Sequence, residues 1–253
     1  MAEPILSVNN LSKTFKLQGR EDVRAVSNVT FDLYPGETLG VIGESGSGKT
    51  TLVNLITGLL PATEGSVLLD GIEVTKCDAK ALRNVWKKLQ VVFQTPTESF
   101  DPRRTLGDGI CESMRNNRVS KPDALSRAKE LLKLCGLPEE FVNRYPHEVS
   151  GGQCQRAAIA RALAIEPKLL VCDEATSALD VTIQAEIIDL LVNLRKELDM
   201  AILFICHDIA LVQQFCDRVV VMYHGELVEE GKPDEVIAEP KNDYTQDLIN
   251  SIL

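Results

Sequence analysis

The eight residues Gly43–Thr50, GESGSGKT, constrain this chain more than any other stretch. They fit the spacing G-x-x-x-x-G-K-[S/T] of phosphate-binding loops. Successive backbone N–H groups in such a loop converge on one concavity and hold phosphate oxygens. Gly43, Gly46 and Gly48 let the backbone curl without Cβ clashes. The spacing assigns Lys49 to the β- and γ-phosphates of a nucleotide and the Thr50 hydroxyl to a Mg²⁺ ion. Glu44, Ser45, Ser47 and Thr51 are expected to line the same site. The flanks agree with this reading. Thr38–Ile42 (TLGVI) is an apolar run of buried-strand type, and Lys49–Thr57 reads as a helix stopped by Gly58. The helix N-terminus would then face the phosphates. A Gly-rich turn without this role would need neither flank.

The 253 residues are 44% hydrophobic and 25% charged, which suits one large globular domain or a core with a sub-domain. A net charge of -10 argues against a broad nucleic-acid face, because phosphate backbones are gripped by Lys and Arg. The seven cysteines are scattered, and no C-x-x-C occurs. Neither a disulfide framework nor a zinc or iron–sulfur site is suggested. Cys172 and Cys206 lie in apolar runs and read as small core residues of a cytosolic protein. MAEPILSVNN has neither the basic nor the apolar region of a signal peptide. No apolar run reaches the ~20 residues of a membrane span.

Taken in order, Ile5–Val8, Val23–Val26 and Val29–Leu33 read as strands, with a turn at Pro35-Gly36. Phe15 suits either stacking on an adenine ring or a place in the core at a strand end. Glu64–Gly71 reads as strand and turn, Ala79–Lys88 as a helix and Leu89–Phe93 as a strand running into Gln94. The polar, Pro-containing Thr95–Thr105 is a loop. Leu106–Met114 and Asp123–Cys135 read as helices, the second capped by Asp123 and stopped by Gly136. Val149–Gln153 opens a helix over Gln155–Ala164. From there strands and helices alternate: strand Lys168–Cys172, helix Thr182–Leu198, strand Ala201–Cys206, helix Ile209–Phe215 and strand Arg218–Tyr223. A turn at His224-Gly225 precedes strand Glu226–Glu230 and a helical tail. Such alternation builds a parallel sheet with right-handed crossovers.

Asp173-Glu174 follows the apolar run LLVC. In an open α/β sheet ligands sit at the carboxyl ends of the strands, so these acids fall beside the phosphate loop. Asp173 is suited to hold Mg²⁺, and Glu174 to act as general base on the attacking water.

Val149-Ser150-Gly151-Gly152-Gln153, followed by Gln155-Arg156 and AAIARAL, resembles the signature motif of ATP-binding cassette (ABC) ATPases. Val149 stands where Leu is usual, and Cys154 where Arg, Lys or Gln is usual. The other family motifs match in order. They are Gln94 as the Q-loop, Ser177-Ala178-Leu179-Asp180 as the D-loop, and His207-Asp208 as the switch histidine. The resemblance spans nearly the whole chain. It implies a P-loop NTPase core with a mainly parallel sheet, an N-terminal antiparallel β sub-domain and a helical signature sub-domain. The implied division puts 1–94 and 165–253 in the catalytic core and 95–164 in the helical part. ATP and Mg²⁺ are the implied ligands. Glu174, His207 and Gln94 would carry catalysis, with Gln94 also near the metal. Ser150, Gly151, Gly152 and Gln153 would grip the γ-phosphate held by an opposing subunit, with Asp180 nearby. A thiol at Cys154, near a helix N-terminus, is open to a lowered pKa and redox sensitivity, the alternative being an inert cysteine. His147 and His224 lie in turns and read as structural or solvent-facing.

Phe93–Thr105 (FQTPTESFDPRRT) and the tail Asn242-Asp243-Tyr244-Thr245-Gln246 resemble the peptide/nickel importer group of that family. The Pro-Arg-Arg-Thr run is closer to the second ATPase of its paired subunits. Thr95 departs from the usual Asp. The resemblance implies a second ATPase subunit, identical or different, two integral membrane permease subunits and, indirectly, a solute-binding protein. It implies no nucleic acid, and it implies work at the cytoplasmic face of the membrane. The alternative is a stand-alone soluble ABC ATPase, such as one serving iron–sulfur cluster assembly. The chain stops soon after the tail motif, leaving no room for a regulatory barrel.

Overall fold

The computed structural model describes residues 3–16, 19, 21–177 and 179–251. The chain runs through β1 (Leu6–Phe15), β2 (Val23–Leu33), β3 (Thr38–Ile42), α1 (Lys49–Ile56), β4 (Glu64–Leu69) and β5 (Ile72–Glu73). Next come α2 (Ala79–Lys88), β6 (Leu89–Val92), α3 (Leu106–Asn116), α4 (Lys121–Leu134) and α5 (Gly151–Leu163). The last part holds β7 (Leu169–Asp173), α6 (Val181–Leu198), β8 (Ala201–Ile205), α7 (Ile209–Phe215), β9 (Arg218–Tyr223), β10 (Glu226–Gly231), α8 (Pro233–Ala238) and α9 (Asp243–Asn250).

Two sheets form. One is antiparallel, in the order β2-β1-β4-β5. The other has the order β10-β9-β3-β8-β7-β6, parallel throughout except for β10. The second sheet is covered on both faces, which explains its unbroken apolar strands. Leu169, Val171, Ala201 and Leu203 point toward α1 and the antiparallel sheet. Leu170, Cys172, Ile202 and Phe204 alternate with them and join the core of α3 to α7. Phe204 meets Phe215 of α7 edge to face, with ring centroids 5.1 Å apart.

Three local features differ from the sequence expectations. Val23–Val26 and Val29–Leu33 are one strand, β2, in which Asn28 turns through φ +49°. The Ser12 hydroxyl accepts the Asn28 N–H at 3.0 Å and holds the irregularity. α4 is capped by Ser120, not Asp123, which lies in its first turn. α5 starts at Gly151, four residues before Gln155. Ser150 Oγ accepts the Gln153 N–H at 3.3 Å, while Gln153 Oε1 accepts the Ser150 N–H at 3.0 Å. This reciprocal cap carries the two glycines into the helix.

Polar contacts pin β3, the strand that leads into the Gly43–Gly48 loop. At its start the Thr38 N–H donates to Asp217 Oδ2 at 2.8 Å, and Arg195 donates to Thr38 Oγ1 at 2.9 Å. Beyond its end, the Gly225 N–H of the β9–β10 turn donates to the Ser47 carbonyl at 2.9 Å.

Candidate functional site

The loop between β3 and α1 leaves Gly43 and Gly48 no substitute. A Cβ on Gly43 would lie 2.1 Å from the Met222 carbonyl oxygen, at φ +149°. One on Gly48 would lie 2.3 Å from the Ala25 carbonyl oxygen, at φ +109°. The loop is therefore pressed between β9 and β2, with Glu44, Ser45, Gly46 and Thr50 exposed and Ser47 and Lys49 buried. Lys49 Nζ donates to the carbonyls of Gly43 and Glu44, both at 2.7 Å. Burial lowers the Lys49 pKa, while the nearby Glu174 and Asp173 charges pull it back up.

β8 separates β3 from β7, so the end of β7 lies two strands from the loop. Asp173 is half-buried there. Burial raises its pKa, the neighbouring Glu174 adds to the rise, and Lys49 opposes both. Glu174 sits at φ +49°, a left-handed conformation uncommon for a side chain with a Cβ. Its N–H is held by the Ile205 carbonyl at 3.1 Å. His207 Nδ1 lies 3.9 Å from Glu174 Oε1. Gln94 Nε2 donates to Ser177 Oγ at 3.1 Å, and that hydroxyl donates to the Glu174 carbonyl at 3.0 Å. The bridging role of Ser177 was not part of the sequence reading, because nothing in its spacing places a hydroxyl between Gln94 and Glu174.

Ser45, Thr50, Gln94, Asp173 and Glu174 line one cleft of about 790 Å³. Arg161 of α5 also lines it. This guanidinium donates to the Ser99 carbonyl and lies 4.6 Å over the Phe100 ring, tying α5 to the segment after Gln94. Arg161 was also missed; it reads only as one polar residue in AAIARAL.

Other expected residues stand elsewhere. Ser150 to Gln153 form the N-terminal cap of α5 and are not part of the cleft lining. Gly152 lets α5 approach α6, since a Cβ there would come within 2.6 Å of Ile183 Cγ2. Asp180 caps α6, accepting the Ile183 N–H at 3.0 Å. Ala178 lies outside the described residues. Phe15 ends β1 partly buried, with Lys13 Nζ 5.4 Å above its ring. Thr51 is partly buried in the first turn of α1. Cys154 corrects the expectation of an acidic thiol: it is wholly buried, and burial pushes its pKa up to about 11.

The donors fit a magnesium ion. Thr50 offers a hydroxyl, Asp173 a carboxylate and Gln94 a carboxamide, all on one cleft. Mg²⁺ takes one or two protein carboxylates and completes its shell with phosphate and water oxygens. Among the described residues no cluster of three or more His, Cys, Asp and Glu residues is placed to hold a metal.

Comparison with known proteins decides the family. A family model described as the ABC transporter matches residues 26–177. The chain belongs to this family. Its ABC fold agrees with solved cassettes. A dimeric post-hydrolysis state of the ATP-binding cassette MJ0796 bound to ADP and Pi superposes with TM-score 0.82 at 34% identity, covering 90% of this chain and 98% of that one. CbiO1 from Clostridium perfringens, part of the ABC transporter complex cbiONQ, gives TM-score 0.84 at 31% identity, covering 93% and 91%. Among curated relatives, the oligopeptide transport ATP-binding protein OppF of Salmonella typhimurium is 46% identical over 93% of this chain and 71% of its own length. OppF of Haemophilus influenzae is 43% identical over 99% and 78%. As an ABC ATPase, the chain uses ATP.

Proposed function

We propose that this chain is the ATP-hydrolysing subunit of an ABC importer for peptides, nickel or a related small solute, with the cleft between Thr50 and Glu174 as its catalytic site. The convergence of Thr50, Gln94, Asp173 and Glu174 beside Lys49 carries the chemistry. The likeness to oligopeptide-transport ATPases over nearly the whole chain favours peptides.

In this reading the loop N–H groups and the N-terminus of α1 hold the phosphates. Lys49 exchanges its two loop carbonyls for phosphate oxygens, retaining two charged hydrogen bonds. Thr50, Asp173 and Gln94 would hold Mg²⁺, which when bound neutralises charge on the phosphates. Glu174 accepts a proton from the attacking water, and its fixed backbone aims the carboxylate. His207, beside Glu174, hydrogen-bonds the γ-phosphate or that water. Phe15 is the aromatic offered to the adenine ring.

Ser150 to Gln153 form an anion site that a second copy or a second cassette would bring onto the nucleotide, head to tail, with Asp180 near that junction. The dimeric solved cassette supports this assembly. Residues 95–164 act as the helical unit. The Arg161–Ser99 contact passes the state of Gln94 to that unit and on to two membrane permease subunits. No helix among the described residues is long and apolar enough to cross a membrane, so attachment to the cytoplasmic face falls to those partners, which a solute-binding protein supplies. The test is purification of the tagged chain in detergent from its own cells. Two multi-span proteins, with or without a second cassette, are expected. Soluble partners alone would remove the importer reading and leave a stand-alone ATPase.

A further inference from the structure

The tail motif Asn242–Gln246 marks the importer group in the sequence, yet the chemistry above makes no use of it. The structure brings it onto the phosphate loop. The Tyr244 hydroxyl accepts the Glu44 backbone N–H at 2.9 Å, across 200 residues of chain. Its ring stacks on Tyr223 at the end of β9, with centroids 3.9 Å apart and planes 26° apart. The start of α9 is itself clamped. Glu229 of β10 accepts the N–H groups of Lys241 at 2.9 Å and Asn242 at 3.1 Å, and Asn242 caps the helix through the Tyr244 N–H at 2.9 Å. Thr245, next in line, is fully buried.

Glu44 is the second residue of the loop, and its side chain is exposed. On the other side of the loop, Gly225 holds the Ser47 carbonyl and the Met222 carbonyl crowds Gly43. Lys49 holds the carbonyls of Gly43 and Glu44 from within the loop, and Tyr244 anchors the Glu44 N–H from the far end of the chain. We infer that Tyr244 is a positioning residue for nucleotide binding: its oxygen fixes the Glu44 peptide so that the phosphate loop is shaped before the nucleotide arrives. This rests on the reading of the loop as the ATP site. The physical reason is entropic. A loop already ordered by the tail loses less conformational freedom on binding than one that must be ordered by the ligand.

Tyr244→Phe tests this, because it keeps the stacked ring and removes only the acceptor. Loss of one neutral hydrogen bond predicts about three- to tenfold weaker ADP and ATP binding by calorimetry. KM for ATP should rise with it while kcat is kept within about twofold, since ordering of the ground-state loop is uniform to substrate and transition state. Amide exchange measured by NMR should accelerate at Glu44 in the nucleotide-free protein, with β3 unchanged. Unchanged nucleotide affinity together with unchanged Glu44 exchange would overturn the inference. So would a lower thermal midpoint as the only effect, since that is what a purely structural tail contact gives. Failure of the wild-type chain to bind either nucleotide would instead overturn the ATP reading itself.

Discussion

At the residue scale, each group of the cleft makes a separable prediction. Lys49→Ala removes the buried cation and two charge-assisted donors, so ATP affinity should fall by more than about tenfold in a fluorescent-nucleotide titration. Glu174→Gln keeps the shape of the side chain and removes the base. Single-turnover hydrolysis should drop by about a hundredfold or more while ATP still binds. If the variant hydrolysed at the wild-type rate, Glu174 would not be the base. Asp173 is different, because its charge is disfavoured in the folded protein. Burial and Glu174 raise its pKa above the ordinary 3.8, so the folded state binds its proton more tightly than the unfolded state. The associated stability is present at low pH and is lost as pH rises through the raised value. Asp173→Asn should therefore raise the thermal midpoint of the nucleotide-free protein at neutral pH while abolishing hydrolysis.

At the element scale, the phosphate-loop strand and helix were legible because the motif and its flanks are local. TLGVI must be a strand buried on both faces, and Gly58, at φ +71°, ends α1 as expected. The cap of α5 was legible in kind but not in extent. Two glycines disfavour a helix, and only the Ser150–Gln153 exchange of hydrogen bonds brings them in. Ser150→Ala breaks that exchange and should cost about 0.5–2 kcal/mol in denaturant unfolding. The continuity of β2 was not legible, since Asn28 reads as a break until Ser12 from the neighbouring strand holds it.

At the scale of the whole molecule, the buried thiols predict alkaline sensitivity. Burial pushes Cys135 and Cys172 up to about 12, and Cys154 and Cys206 up to about 11, from an ordinary 9.0. Unfolded thiols ionise first as pH rises, so the stability these groups confer is complete below pH 9.0 and is lost between there and about pH 12. The thermal midpoint should fall between about pH 9 and pH 12, and less steeply in Cys135→Ala than in wild type. Native protein should release no more than the signal of Cys77 to a thiol reagent, because the other six cysteines are buried. Rapid labelling of Cys154 in the folded chain would contradict its burial.

The glycine-rich loop after β3, the carboxylates after β7 and the alternation that makes a parallel sheet are all legible along the chain. Each is written in neighbouring residues whose spacing has one physical reading. Which distant groups meet became visible only in three dimensions. Ser177 lies between Gln94 and Glu174, Arg161 reaches across from α5, and Tyr244 reaches Glu44 from the other end of the chain. Those contacts depend on strand order and helix packing, which place residues far apart in sequence within a hydrogen bond of one another and leave no periodic trace along the chain.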